Sequence, residues 1–211
     1  MIVACVYRTG GIYTREWVSA LRRALGRWMP TGYRFVCLTD DLSVEPYWRI
    51  PLVHNWPGWF SKVELFRPGL FVGPVLYMDL DTLPVGDLSD IAGYRGPFAM
   101  LTDFYREQRR AVASGVMAWT PGPHTEAIYE AFVREPMLNG RSDYWYAKHA
   151  PDPDRLQELF PGQIVSFKKH ARTGPPRNAR LVCGHGKPRF SSPAAGWAHE
   201  EWRSWATRPK P

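Results

Sequence analysis

The stretch Val75-Leu76-Tyr77-Met78-Asp79-Leu80-Asp81-Thr82 decides the fold. Four apolar residues in succession suit a strand buried on both faces, and such strands belong to parallel sheets covered by helices. Two aspartates follow at once. A buried strand that delivers carboxylates at its C-terminal end places them in the crevice where open α/β sheets bind ligands. Spacing of two sends both side chains to the same side of an extended backbone. Like charges held together need a cation, and hard oxygen donors suit Mg²⁺ or Mn²⁺, which keep open positions for phosphate oxygens.

The flanking sequence carries the same pattern. Ile2–Tyr7 is an apolar strand, turned by Thr9-Gly10-Gly11. Trp17, Leu21, Leu25 and Trp28 recur at helical spacing with Arg22, Arg23 and Arg27 between them, an amphipathic helix that Met29-Pro30 ends. Tyr33–Leu38 is the next strand, closed by Thr39-Asp40-Asp41, with Asp41 read as a turn residue. This β–helix–β opening predicts an α/β fold with a mostly parallel central sheet flanked by helices. Further on, the pattern predicts a short helix over Ser61–Phe66, strands over Phe98–Leu101 and Val116–Trp119, and a helix over Ala127–Arg134. From about residue 136 the chain reads as loop-rich, and the tail after Ser191 as a short helix packing back. A length of 211 residues fits one domain, 1–211.

The net charge of +7 has a location. Residues 1–105 hold ten basic and ten acidic side chains; residues 106–211 hold seventeen and ten. Lys168, Lys169, Arg172, Arg177, Arg180, Lys187 and Arg189 form a stretch without an acid, which favours an anionic partner. No helix-turn-helix, zinc-finger or RNA-recognition signature accompanies it, so nucleic acid is not the expected partner. Cys5, Cys37 and Cys183 are too scattered for a disulfide scaffold or zinc ribbon and read as reduced, buried thiols. With no signal peptide and no apolar stretch of about 18 residues, the expectation is a cytoplasmic protein without a transmembrane segment.

A second motif, Val182-Cys183-Gly184-His185-Gly186-Lys187-Pro188, sets a His and a Lys among glycines that let backbone approach an anion. One divalent ion on Asp79, Asp81 and His185, with Lys187 on a phosphate, makes a coherent site. Trp56, Trp59 and Trp145 sit in polar or turn contexts that suit an acceptor groove, whereas Trp17, Trp28 and Trp119 suit the core.

The order of motifs resembles the GT-A glycosyltransferases, close to the glycogenin-like family 8 enzymes and their bacterial and phage relatives. The matching pieces are Arg8-Thr9-Gly10-Gly11 after the first strand, Cys37-Leu38-Thr39-Asp40-Asp41, Ser61-Lys62-Val63-Glu64-Leu65-Phe66, Tyr77-Met78-Asp79-Leu80-Asp81, Ser114-Gly115-Val116-Met117-Ala118-Trp119 and His185-Gly186-Lys187-Pro188. The resemblance implies a Rossmann-like GT-A fold and transfer of a sugar, with retention, from a nucleotide-diphosphosugar, a UDP-sugar first. The acceptor is an unspecified glycan, lipid-linked or small-molecule hydroxyl. It also implies Mn²⁺ (or Mg²⁺) on Asp79, Asp81 and His185, and donor contacts from Val6, Tyr7, Arg8, Thr9, Lys62, Leu80, Gly186 and Lys187. Asp143 and Asp103 are the candidates near the anomeric carbon.

Three departures stand out. The better-known members carry the metal histidine six residues before the lysine, where this chain has Leu181; Ala113 replaces an asparagine; and Asp143-Tyr144 stands for an Asp-Gln pair. Two other readings stay open. Asp79-Leu80-Asp81-Thr82 fits the D-x-D-x-T signature of haloacid-dehalogenase-type phosphohydrolases, with the first Asp as nucleophile. A non-catalytic sugar-nucleotide-binding domain is the other.

Overall fold

The side chains of β1 (Ile2–Tyr7) divide between two cores: Val3, Cys5 and Tyr7 enter one, Ile2 and Ala4 the other. Burial on both faces is what makes the run apolar without alternation. The computed structural model describes residues 1–109, 111–150 and 152–207; residues 110, 151 and 208–211 of the expected 1–211 unit lie outside it. Helix α1 (Arg15–Trp28) buries Trp17, Val18, Leu21, Ala24 and Leu25 against the first core, and Pro30 lies just beyond its last turn. It returns the chain to β2 (Arg34–Thr39), parallel to β1, and then to β3 (Arg49–Pro51).

The helix expected over Ser61–Phe66 is a 3₁₀ segment, Gly58–Phe66, between Pro57 and Pro68. Every residue from Phe60 to Phe66 is buried, including Lys62 and Glu64. Glu64 holds the preceding loop by accepting from the Val53 and His54 amides at 2.8 and 2.9 Å.

Strand β4 (Val75–Met78) lies parallel to β1 on the side opposite β2. The sheet order therefore reverses at β1, and a crevice opens beyond the C-terminal ends of β1 and β4, where doubly wound folds bind ligands. The chain continues through β5 (Thr82–Pro84), α2 (Ser89–Ala92), β6 (Phe98–Thr102), β7 (Val112–Trp119) and α3 (Pro123–Arg134). Among the described residues the main sheet has seven strands in the order β3-β2-β1-β4-β7-β6-β8, with β7 antiparallel to both neighbours.

The stretch read as loop-rich holds short elements: α4 (Ser142–His149), β8 (Asp154–Arg155), α5 (Leu156–Leu159), β9 (Ile164–Ser166), α6 (Phe167–His170) and β10 (Leu181–Cys183). They are too short to show a period in the sequence. The tail forms α7 (Trp197–Ala206), which packs on α1 as expected. A small sheet, β5-β10-β9, fastens this half to the aspartate strand. In it Cys183 pairs with Thr82, and the Gly184 amide donates to the Asp81 carbonyl at 2.7 Å. A Cβ at Gly184 would stand 2.8 Å from that oxygen, so only glycine allows this approach.

Leu76, fully buried at the centre of β4, carries much of the support for the site. Leu76→Ala should cost about 2–5 kcal/mol of unfolding free energy in urea denaturation; a cost below about 1 kcal/mol would place β4 outside the core.

Candidate active site

Asp79 leaves the end of β4 with its amide donating to the Gly115 carbonyl at 2.8 Å. Its carboxylate accepts from Lys62 Nζ at 2.9 and 3.2 Å and from the Tyr77 hydroxyl. Lys62 is only 7% exposed; the 3₁₀ segment delivers its ammonium through the interior, and burial without Asp79 would be costly. Lys62 Nζ also donates to Ser114 Oγ at 3.1 Å. Ser114 passes the contact on, its amide and hydroxyl donating to Asp143 Oδ1 at 2.9 and 2.8 Å. Arg141 closes the line, reaching Asp143 Oδ2 at 2.6 Å and Asp103 Oδ2 at 3.3 Å. Lys62, Asp79, Asp103 and Asp143 thus lie on one connected polar path.

Asp81 is more deeply buried, and its Oδ2 accepts from the Tyr13 hydroxyl at 2.6 Å and from Arg189 at 2.7 Å. Arg189 donates to Tyr13 as well, at 2.8 Å, and lies over its ring. Burial, followed by the neighbouring Asp79 charge, pushes the Asp81 carboxyl up to about 6, although Tyr13, Arg189 and Lys62 pull the other way. Burial and then Asp81 push the Tyr13 phenol upward, so it stays a donor. Asp79 and Asp81 are therefore neighbouring carboxylates whose charges are met by side-chain cations, Lys62 and Arg189.

The loop after β1 has its own anchors. Thr9 donates to Asp40 from its amide at 2.8 Å and its hydroxyl at 2.9 Å, and Arg8 reaches Asn55 and the His54 carbonyl. Asp41 accepts from the Ser43 amide, the turn role read from sequence. Tyr7 and Leu80 are buried and Val6 partly so; within Val6–Thr9, Arg8 and Thr9 offer the polar surface.

Gly186 and Lys187 form an exposed turn over the basic stretch. Gly186 has φ +67°, and a Cβ there would meet Lys168 Nζ at 2.9 Å. His185 engages residues other than the aspartate pair. Its Nε2 is 2.7 Å from Ser166 Oγ, and its ring lies between Phe104 and Tyr105. Burial, then Lys168, lowers its pKa, which keeps the imidazole neutral. Among the described residues no three His, Cys, Asp or Glu side chains are grouped so as to hold a metal. The two carboxylates fit a hard divalent cation in donor chemistry; His185 is not gathered with them, and Leu181 is fully buried in the first core.

Other expectations sort by burial. Trp56 and Trp145, read as groove residues, are buried in the second core, where Trp56 meets Phe132 edge-on; Trp59 alone of the three is exposed. Trp17 and Trp119 are core residues as expected, and Trp28 is partly buried. The three cysteines are free and buried. The phosphohydrolase reading needs a second acidic pair beside Asp79. The late pair Glu200-Glu201 lies on α7 instead, with Glu200 on Arg203 and Glu201 on Trp205. Tyr13, Arg141 and Arg189 were not singled out from sequence; Arg189 had a signal only as part of the basic stretch.

A carboxyl whose pKa is raised in the folded state loses stability as pH climbs from its unfolded value through the folded one. Asp81→Asn removes that loss. The unfolding free energy of the native protein should therefore fall relative to Asp81→Asn between pH 3.8 and about 6, by up to about 3 kcal/mol. A flat difference across that window in paired denaturation curves would show Asp81 to be unperturbed.

No protein-family model matches the chain. No curated protein matches it at a significant level. Solved structures do. Glycosyltransferase GlyE of Streptococcus pneumoniae TIGR4 superposes with a TM-score of 0.67 at 12% identity, over 99% of this chain and 60% of that one. The galactosyltransferase LgtC, in complex with donor and acceptor sugar analogs, gives 0.68 at 12% identity, over 100% and 98%. The apo bifunctional glycosyltransferase WbbM gives 0.65 at 10% identity, over 98% and 49%. The chain thus spans about three fifths of GlyE, half of WbbM and nearly all of LgtC. At these identities the likeness concerns the fold, and the fold is the GT-A fold of glycosyltransferases expected from the motif order.

Proposed function

We propose that the chain, acting over 1–211 as one domain, transfers a sugar from a nucleotide-diphosphosugar, a UDP-sugar first, to an acceptor hydroxyl. The observation that carries this reading is the neighbouring pair Asp79/Asp81, held at the switch point of a glycosyltransferase fold with cationic side chains on both carboxylates. Asp79 and Asp81 are the residues to hold Mn²⁺ or Mg²⁺. When bound, the ion neutralises charge on the departing nucleoside diphosphate.

The protein's own groups do the rest. Lys187, exposed on its glycine-flanked turn, takes a phosphate oxygen as a point charge. Arg8 and Thr9, tied down through Asn55 and Asp40, bound the nucleotide side of the crevice. Lys62 and Tyr77 keep Asp79 in one orientation. Asp143, with both oxygens engaged by Ser114 and Arg141, is a rigid wall on the sugar side, and Asp103 is fixed through the same Arg141. That engagement favours positioning over nucleophilic attack. Retention follows the resemblance: the acceptor oxygen bonds to the anomeric carbon as the bond to the diphosphate breaks on the same face, and its proton passes to the departing diphosphate oxygen. The buried free thiols suit a reducing, cytoplasmic setting. No described helix is long and apolar enough to cross a membrane.

The test is Mn²⁺-dependent binding and slow hydrolysis of a panel of nucleotide-sugars. Asp79→Asn should lower turnover by about a hundredfold or more, since the developing charge loses its main stabiliser. Binding of no UDP- or GDP-sugar with metal present would sink the transferase reading, and release of phosphate from simple monoesters would favour the phosphohydrolase. His185→Ala should weaken Mn²⁺ affinity by less than about tenfold, the lower bound for losing a group beside a ligand; a larger loss would bring His185 back as a ligand.

A further inference from the structure

In the structure, one oxygen of Asp81 is already engaged. Its Oδ2 accepts from Arg189 and from Tyr13, and these two are bonded to each other. Asp79 is satisfied by Lys62. Two carboxylates and two cationic side chains leave the aspartate pair itself with no formal net charge. A divalent ion arriving alone finds each aspartate already paired with a cation and must compete with Arg189 for Oδ2 of Asp81. A divalent ion arriving with a nucleoside diphosphate changes the balance, because the phosphates offer the guanidinium a new anionic partner of matching geometry.

Position favours such an exchange. Arg189 is two residues beyond Lys187 on the turn that faces the diphosphate in the proposed function. Its side chain is 30% exposed, whereas that of Asp81 is 8% exposed, so the arginine sits at the solvent edge and the carboxylate behind it. Tyr13, its other partner, follows the exposed Gly10-Gly11 loop. Lys62 has no such freedom, being locked in the interior between Asp79 and Ser114.

We infer that Arg189 is an internal counter-ion that occupies Asp81 until a diphosphate draws it away, so that metal and nucleotide load together rather than in sequence. This rests on the metal assignment of the proposed function and adds to it a gate on loading.

The test reads metal binding directly, by the electron paramagnetic resonance signal of free Mn²⁺ during titration, with and without UDP or GDP. The native protein should bind Mn²⁺ weakly alone and at least about tenfold more tightly with nucleotide, as removal of one competing charge at short range implies. Arg189→Gln should bind Mn²⁺ alone at least about tenfold more tightly than the native protein, while Arg189→Lys, which keeps the charge, should stay near it. Tyr13→Phe, which keeps the ring and removes the brace, should shift Mn²⁺ affinity in the same direction as Arg189→Gln by a smaller factor, and decides the matter if Arg189→Gln proves unfolded by circular dichroism. Equal affinity of native protein and folded Arg189→Gln for Mn²⁺ alone overturns the gate and leaves the metal assignment standing. Absence of Mn²⁺ uptake by every form, with either nucleotide present, overturns the metal assignment and the gate together.

Discussion

Asp79 and Asp81 repel each other at the end of a strand that has a packed core on both faces, and much of the surrounding structure answers that repulsion. A buried carboxylate without a partner is among the more expensive things a protein can contain, and two of them in one pocket compound the cost. The remedies come from four places. The 3₁₀ segment Gly58–Phe66 sends Lys62 through the interior, β4 itself supplies Tyr77, the loop after β1 supplies Tyr13, and the turn after β10 supplies Arg189. The same concentrated charge that needs these remedies is what suits the pocket to a divalent ion and a diphosphate.

The topology makes the remedies reliable. β1 and β4 are fixed by burial on both faces, so the carboxylates start from a rigid platform. The small sheet β5-β10-β9 then brings the C-terminal half onto the strand that follows Asp81, with Gly184 close enough to bond the Asp81 carbonyl. A polar path running from Asp79 through Lys62, Ser114 and Asp143 to Arg141 and Asp103 ties β7 and α4 to the same pocket. Rigidity of this kind favours electrostatic work, because donors and acceptors need not reorganise as charge moves.

What could be read in the sequence was what is local. Ile2–Tyr7, the helix after it and Val75–Met78 are announced by their own composition and period, and Asp79 and Asp81 by their place at a strand end. Lys62 was reachable through the motif that carries it. Arg189 and Tyr13 were not, because their meeting with Asp81 spans 108 and 68 residues and leaves no periodic trace. Trp56 and Trp145 misled for the opposite reason: polar neighbours in sequence surround residues whose spatial neighbours are Phe132 and the second core. His185 has the right residue type in the right kind of turn, and the partner it meets here, Ser166, is set by the parallel pairing of β9 and β10, which leaves no trace in the sequence.

The clasp on Asp81 joins Tyr13 to Arg189 across 176 residues, and this bears on when the site comes into being. On a ribosome, Asp81 emerges 108 residues ahead of its arginine, a wait of roughly 5 to 20 s at typical rates of synthesis. At the start of that interval only β1–β4 of the main sheet exist, and β6, β7 and β8 join as they are made, while the mouth carries an unbalanced negative charge. The aspartates sit in a finished pocket only after the last third of the chain has been made and has docked, so a prematurely ended chain has the strand and lacks the neutralised aspartate pair.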